Sequence, residues 1–191
     1  MIVVTGATGR TGRQVAELLL AKGEKVRAVG RDATKLSPLV ALGAEPFVGT
    51  VADLAFLIAA FAGAKGAYLV LSEDLSQPDL RAHQEQVSDC YAAAIANAQV
   101  KFVVSLSSIG AQHAEGTGPI VGLHKSGTKV ESGRGTECPA PAGRLFYGES
   151  IHDHGALARN WNAAWRNAGR CGNAVDSDER YRGLRGKASC G

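Results

Sequence analysis

Three glycines at three-residue spacing follow a short apolar run at the start of the chain. Residues 1–4 are apolar and largely β-branched, which predicts a buried strand, and Gly6, Gly9 and Gly12 come soon after. Residues 13–22 then show the periodicity of an amphipathic helix. A strand that turns through glycines into a helix presents unpaired backbone N–H groups and the positive end of the helix dipole to one place. The stretch therefore predicts a turn that binds a pyrophosphate.

The residues of this turn have separate predicted parts in binding. Gly6 allows the tight turn, Gly9 lets the backbone approach the phosphates, and Gly12 lets the helix pack closely on the strand. The placement of the glycines between a strand and a helix carries the prediction, because three glycines alone occur in many loops. The residues expected to contact the cofactor here are Gly6, Thr8, Gly9, Arg10, Thr11 and Gly12.

A basic residue stands where the second strand is expected to end. Residues 25–30 predict that strand, and Arg31 follows it. An NAD-specific domain holds a carboxylate at this place, whereas the planar fork of an arginine suits a 2′-phosphate. Arg10 and Lys35 would add positive charge to the same pocket. We therefore interpret Arg31 as a 2′-phosphate ligand that favours NADP(H), with NAD(H) as the alternative. The adjacent Asp32 complicates this preference, and a solvated loop arginine is the other interpretation.

The first half of the chain alternates between strand and helix patterns, which positions these residues. Beyond the first two strands, residues 45–49, 67–71 and 101–106 are predicted strands. Residues 53–61 and 78–98 are predicted helices, and Ser37 and Pro38 are expected to open a short helix that ends before Gly43. This alternation predicts an α/β fold, a Rossmann-type doubly wound parallel sheet with five recognisable strands. The carboxyl ends of parallel strands share one edge, so Leu71 and Ser107 are expected beside the glycine turn.

The composition excludes several functions. The formal net charge of +3 over 191 residues is too mild to indicate nucleic-acid binding. The four cysteines, at positions 90, 138, 171 and 190, have neither zinc-ligand nor redox-pair spacing, so no metal site is expected. His83 and Cys90 lie on or near the apolar stripe of the predicted helix 78–98, which includes Tyr91, and are expected to pack. The sequence contains no membrane-spanning apolar run and no signal-peptide layout, which predicts a cytoplasmic protein.

Residues 1 to about 126 resemble the NmrA-like branch of the atypical short-chain dehydrogenases. The resemblance rests on residues 6–12, 29–32, 62–64, 84–89, 106–113 and 116–124. It implies an NAD(P)(H)-binding protein derived from a reductase of quinones or azo compounds. Two alternatives are a non-catalytic NADP(H) sensor that regulates a partner protein and a truncated fragment without function. Ser107 resembles the family serine that lies beside the nicotinamide ribose.

The proton-transfer pair of the typical short-chain dehydrogenases, Tyr-x-x-x-Lys, is missing from this chain. The corresponding region offers His124, followed by Thr128 and Lys129. His124 could carry a proton near the nicotinamide at neutral pH and is the candidate catalytic residue. A helix-capping or buried histidine is the equal alternative. Hydride transfer to a quinone or a dye asks less of the protein than reduction of a ketone, because the cofactor supplies the chemistry.

The composition changes after about residue 126. Large aliphatic residues become scarce, and arginine, glycine and asparagine are spread throughout. Such a segment buries too little apolar surface to offset its ordering entropy. The predicted organisation is therefore a Rossmann domain over residues 1–126 and a disordered or frameshifted tail over residues 127–191.

A single-nucleotide insertion near codon 127 is a hypothesis for this change. Deleting one G from the Gly127 codon lets the next codons spell Glu-Gln-Lys-Leu-Asn, as in the family helix. The same shift lets residues 141–152 read Leu-Arg-Ala-Gly-Tyr-Phe-Met-Glu-Asn-Leu-Phe-Met and residues 175–183 contain Ile-Ala-Thr-Lys-Asp-Ile-Gly, which are also family-like.

Overall fold

The computed structural model describes residues 1–71, 77–108, 111 and 113–132. These residues contain a parallel sheet of five strands in the order β3-β2-β1-β4-β5. The strands are β1 Ile2–Val4, β2 Val26–Gly30, β3 Glu45–Val48, β4 Gly66–Leu69 and β5 Phe102–Ser105. The helices are α1 Arg10–Ala21, α2 Ala33–Ala41, α3 Leu54–Phe61, α4 Leu80–Asn97 and α5 Val121–Ser132, with a 3₁₀ turn at Gly118–Ile120. The predicted doubly wound Rossmann-type sheet is confirmed.

Helices cover both faces of the sheet, because successive residues of each strand point to opposite sides. Ile2 and Val4 of β1 pack with α1 and α2 in one apolar cluster. Val3, between them, belongs to the other cluster, which α3, α4 and α5 cover. Cys90 lies in this second cluster, so its predicted packing role is confirmed.

Helix α2 begins earlier than its sequence pattern indicates. The prediction that Ser37 caps this helix is wrong, because Asp32 is the N-cap and accepts hydrogen bonds from the backbone N–H groups of Thr34 and Lys35 at 2.9 and 3.3 Å. Pro38 therefore lies inside the helix and has no N–H for the carbonyl of Thr34. The Ser37 hydroxyl donates to that carbonyl at 2.7 Å instead. This substitute bond explains why the helix continues through a proline.

Helix α5 extends six residues beyond the predicted domain boundary at residue 126. Val130 is buried in the core beside α4, and ion pairs Lys125–Glu85 and Lys129–Asp89, at 2.5 and 2.6 Å, join the two helices. The hydrogen bond from Lys125 holds the pKa of Glu85 below its usual value. Residues 127–132 are thus helical, whereas the rest of the predicted tail lies outside the described residues.

None of the helices in the described part of the chain is both long enough and apolar enough to cross a lipid bilayer.

Candidate functional site

The glycine turn lies at the carboxyl edge of the sheet, between β1 and α1. Gly6 has a φ of +60°, a left-handed conformation that favours glycine. The Ala7 N–H donates to the carbonyl of Val29 at 3.0 Å, and the Gly9 N–H donates to that of Gly6 at 2.9 Å. These two bonds hold the turn against the end of β2 and direct the chain into α1.

Gly9 and Gly12 serve different purposes in this turn. A Cβ on Gly12 would overlap the Gly6 carbonyl, with its carbon at 2.7 Å, so only glycine lets α1 begin this close to the turn. Gly9 is the N-cap of α1 and has an ordinary φ of −86°. A Cβ there would lie 3.3 Å from the Gly6 oxygen, a tight contact rather than an overlap. The fold therefore requires glycine at Gly12 more strictly than at Gly9.

The N-terminus of α1 can hold an anion. The first N–H groups of a helix have no partner within it, and here no described residue caps them with a side chain. The first turn contains no acidic residue and carries Arg10 and Arg13. The positive helix dipole is therefore not neutralised locally, which suits a pyrophosphate. Tyr68 of the neighbouring strand β4 is buried, and burial raises the pKa of its hydroxyl.

The end of β2 places Arg31, the residue predicted to bind the 2′-phosphate, next to the glycine turn. A Cβ on Gly30 would lie only 2.9 Å from the Thr8 methyl carbon, so the Thr8 side chain packs against the backbone of β2 here. Arg31 follows Gly30 and is exposed. The carboxylate of Asp32 caps α2 and lies 3.9 Å from the Lys35 ammonium. Asp32, which complicated the predicted preference for NADP(H), thus has a structural role as the N-cap of α2.

The ends of β4 and β5 complete this edge of the sheet. Leu71 is buried, and the loop that follows it, over residues 72–76, lies outside the described residues. Ser107 is only 4% exposed, and its hydroxyl has no hydrogen-bond partner among the described residues. A buried hydroxyl is almost always paired in a folded protein, so this one suits a polar group of a ligand. The residues present thus fit a dinucleotide at its pyrophosphate and at one further point.

His124 lies on α5 and is anchored to the segment that follows β5. Its Nδ1 is 2.9 Å from the carbonyl oxygen of Ala111, whose own N–H donates to Ser108 at 3.1 Å. If Nδ1 carries the proton of this bond, the neutral ring has an acceptor at Nε2. His124 is half-buried and does not cap the helix. It is thus oriented by the chain that leads away from Ser107.

Three buried polar residues, Thr5, Gln84 and Tyr91, were not predicted from the sequence as part of the site. Thr5 and Tyr91 form a hydrogen-bonded group below the glycine turn, and Gln84 packs its side-chain amide against Gly122 of α5. A hydroxyl directly before the first glycine was the available signal for Thr5. Nothing in the sequence indicated a polar role for Tyr91, because this residue falls on the apolar stripe of α4 and was predicted to pack in the core. In the described part of the chain, no cluster of three His, Cys, Asp or Glu side chains could hold a metal ion.

A Rossmann-type sheet with an anion-binding glycine turn defines a dinucleotide-binding domain. The sequence model of the NAD(P)H-binding family matches residues 6–127, which is most of the region described above. The chain belongs to this NAD(P)H-binding family. No curated protein sequence matches it.

Solved structures share the fold. A triphenylmethane reductase of Citrobacter sp., solved with NADP(H), is similar over 76% of this chain and 48% of its own, with a TM-score of 0.60 and 24% identity. An NADPH-dependent quinone oxidoreductase of Escherichia coli, solved with NADPH, matches over 76% and 47%, with a TM-score of 0.59 and 23% identity. Vestitone reductase from alfalfa matches over 76% and 55%, with a TM-score of 0.59 and 17% identity. The chain spans about half the length of these structures.

Proposed function

We propose that this protein binds NADP(H) at the glycine turn and derives from a reductase of quinones or azo compounds. The observation that carries the proposal is the uncapped, acid-free N-terminus of α1 behind the glycine turn, with Arg31 at the next strand end. Membership of the NAD(P)H-binding family and the fold shared with quinone and dye reductases support it. When bound, the dinucleotide supplies the hydride.

Different residues of the chain would bind different parts of the dinucleotide. The backbone N–H groups of Arg10, Thr11 and Gly12 would hold the pyrophosphate, and Arg31 would pair with the 2′-phosphate. Ser107, whose buried hydroxyl has no partner among the described residues, would donate to or accept from the nicotinamide ribose. These contacts orient the cofactor along the carboxyl edge.

His124 is the residue we propose for proton delivery. Its Nδ1 forms a hydrogen bond with the carbonyl oxygen of Ala111 at 2.9 Å. Nε2 is therefore the ring nitrogen that can deliver a proton to the substrate. Reduction of a quinone to a hydroquinone needs one proton besides the hydride, and a histidine can deliver it near neutral pH. A His124→Gln variant is expected to lower the rate of NADPH oxidation without weakening NADPH binding.

Direct binding tests the cofactor site. NADPH is expected to bind in titration calorimetry, and Gly9→Val is expected to abolish binding, because its side chain blocks the approach of the phosphates. Gly23→Asn is the matched control. Gly23 lies beyond the opposite end of α1, has a φ of +75° that asparagine tolerates, and has open space around it. Equal affinity of the parent and a folded Gly9→Val variant would show that the site is wrong.

Measurement of NADPH oxidation distinguishes a reductase from a non-catalytic sensor and from a fragment without function. A reductase oxidises NADPH in the presence of a quinone or an azo dye. A non-catalytic sensor, which the absence of a Tyr-x-x-x-Lys pair favours, binds NADPH without turnover and captures a partner protein in response to the NADP⁺/NADPH ratio. A chain that does neither and binds no dinucleotide is a fragment without function.

A further inference from the structure

A buried hydrogen-bonded group joins α4 to the carboxyl ends of β1 and β4. The Tyr91 hydroxyl lies 3.1 Å from Thr5 Oγ1 and 3.0 Å from the carbonyl oxygen of Val70. Thr5 Oγ1 accepts a hydrogen bond from the Val70 N–H at 2.9 Å and donates to the carbonyl of Tyr68 at 3.2 Å. Thr5 and Tyr91 are both 0% exposed. We call this group the Tyr91–Thr5 bridge.

The bridge supplies the partners that the sheet no longer provides for Val70. The pairing of β1 with β4 ends at Val4 and Tyr68, and β4 itself ends at Leu69. The N–H and carbonyl of Val70 therefore bond to the two side-chain hydroxyls instead. Burial raises the pKa of Tyr91, so the phenol keeps its proton and acts as a donor. The position of Val70 at the end of β4 thus depends on two hydroxyl groups.

The same group lies directly below the glycine turn. Thr5 precedes Gly6, and Leu71 follows Val70. A Cβ on Gly6 would lie 3.0 Å from the Val70 Cβ, so the turn and the end of β4 are in contact. A displacement of Val70 would change the surface that both segments present at the carboxyl edge.

We propose that Tyr91 is a positioning residue for the dinucleotide, because its hydroxyl holds the glycine turn and the end of β4 in register with each other. This inference rests on the proposed function. Tyr91 does not touch the cofactor. It acts through Thr5 and Val70, and the affinity gained from the preorganised edge is lost when the bridge is broken.

Four variants test the bridge by NADPH affinity and thermal midpoint. Tyr91→Phe and Thr5→Val each remove one hydroxyl with little change in shape, and each is expected to weaken NADPH binding about fivefold, the effect of one neutral hydrogen bond. Thr5→Ser keeps the hydroxyl and is expected to bind within about twofold of the parent. Ile95→Val, on the same helix and equally buried, removes only a methylene and is expected to lower the melting temperature without changing affinity.

The outcomes distinguish positioning from stability alone. If Tyr91→Phe and Thr5→Val lose stability as Ile95→Val does and bind NADPH like the parent, the inference is overturned. The two variants break the bridge from opposite sides, so the test does not depend on one of them folding. A parent that does not bind NADPH contradicts the proposed function, and the inference with it. A parent that binds and a Tyr91→Phe variant that binds equally well contradict the inference alone.

Discussion

At the scale of single residues, Arg31 is the position at which the choice between the two dinucleotides can be tested. It lies beside the contact of Gly30 with Thr8, where the glycine turn meets β2. A guanidinium reaches a 2′-phosphate with charge-assisted hydrogen bonds, which contribute about 1.5–3 kcal/mol. We expect NADPH to bind roughly ten- to a hundredfold more tightly than NADH and Arg31→Ala to remove most of that difference.

The control for this prediction is a second arginine near the same turn. Arg13 lies in the first turn of α1 and pairs with Glu17 at 2.8 Å. Arg13→Ala removes one positive charge from the vicinity of the turn, so its effect is expected to be small and equal for both cofactors. Titration of both dinucleotides against the three proteins makes the comparison. Equal NADH and NADPH affinities in the parent would exclude the role of Arg31.

At the scale of secondary-structure elements, Arg27 ties β2, β3 and α3 together. Its Nη1 donates to the carbonyl oxygen of Ala60 at 2.7 Å and reaches those of Ala59 and Ala62 at the end of α3. Its other nitrogens pair with the Glu45 carboxylate at 3.0–3.3 Å. The guanidinium thus donates to carbonyls at the C-terminal end of α3, where helix carbonyls run out of intrahelical partners; of these, the Ala59 carbonyl also accepts from the Ala62 N–H.

Replacement of Arg27 is expected to destabilise the domain without affecting the cofactor site. Arg27→Leu leaves the carbonyls at the end of α3 without this donor and should lower the free energy of unfolding by about 1.5–3 kcal/mol. Glu45→Gln breaks only the ion pair with a half-exposed carboxylate and should cost less, about 1 kcal/mol or below. Urea unfolding measures both. A loss in Glu45→Gln as large as in Arg27→Leu would assign the effect to the ion pair instead.

At the scale of the whole molecule, α5 marks where the packed domain is expected to end. Val130 is buried in the core, so a truncation must keep it. Removal of residues 133–191 is expected to leave the melting temperature nearly unchanged, because the composition of that segment predicts little buried apolar surface. A drop of more than roughly 10 °C, well above the few degrees expected per kcal/mol, would show that the segment packs on the domain.

Hydrogen exchange gives an independent measure of the same boundary. Amides of β1, β4 and the core side of α4 are expected to exchange slowly, since these elements are buried. Amides after residue 132 are expected to exchange fast. Protection that continues past residue 132 would contradict this prediction.

The frameshift hypothesis also concerns the whole molecule. The chain spans about half the length of the reductases that share its fold. The nucleotide sequence across codons 124–131 tests the hypothesis directly. An overlapping frame that encodes Glu-Gln-Lys-Leu-Asn after His124 is the expected result. A reading frame without any such family-like overlap would refute it.

The order of strands and helices followed from local patterns in the sequence. Apolar runs of β-branched residues, helical periodicity and the glycines before α1 depend on neighbours a few positions apart, so the sequence alone determined the Rossmann-type sheet and the place of its ligand-binding edge. Local patterns mislead at one point, because Asp32 and Ser37 are both good N-cap residues. In the structure Asp32 caps α2, and the Ser37 hydroxyl bonds to the carbonyl of Thr34 beside Pro38, inside the helix.

Only the tertiary structure decided how the edge is built. Thr5 and Tyr91 are 86 positions apart and meet because β1, β4 and α4 pack together. No local pattern encodes that meeting, and the periodicity of α4 had counted Tyr91 as one more apolar residue. The bond from His124 to Ala111 and the burial of the Ser107 hydroxyl likewise depend on how separate segments of the chain pack together. A buried polar group must find its hydrogen-bond partners among the groups that surround it, and only the folded chain determines which groups those are.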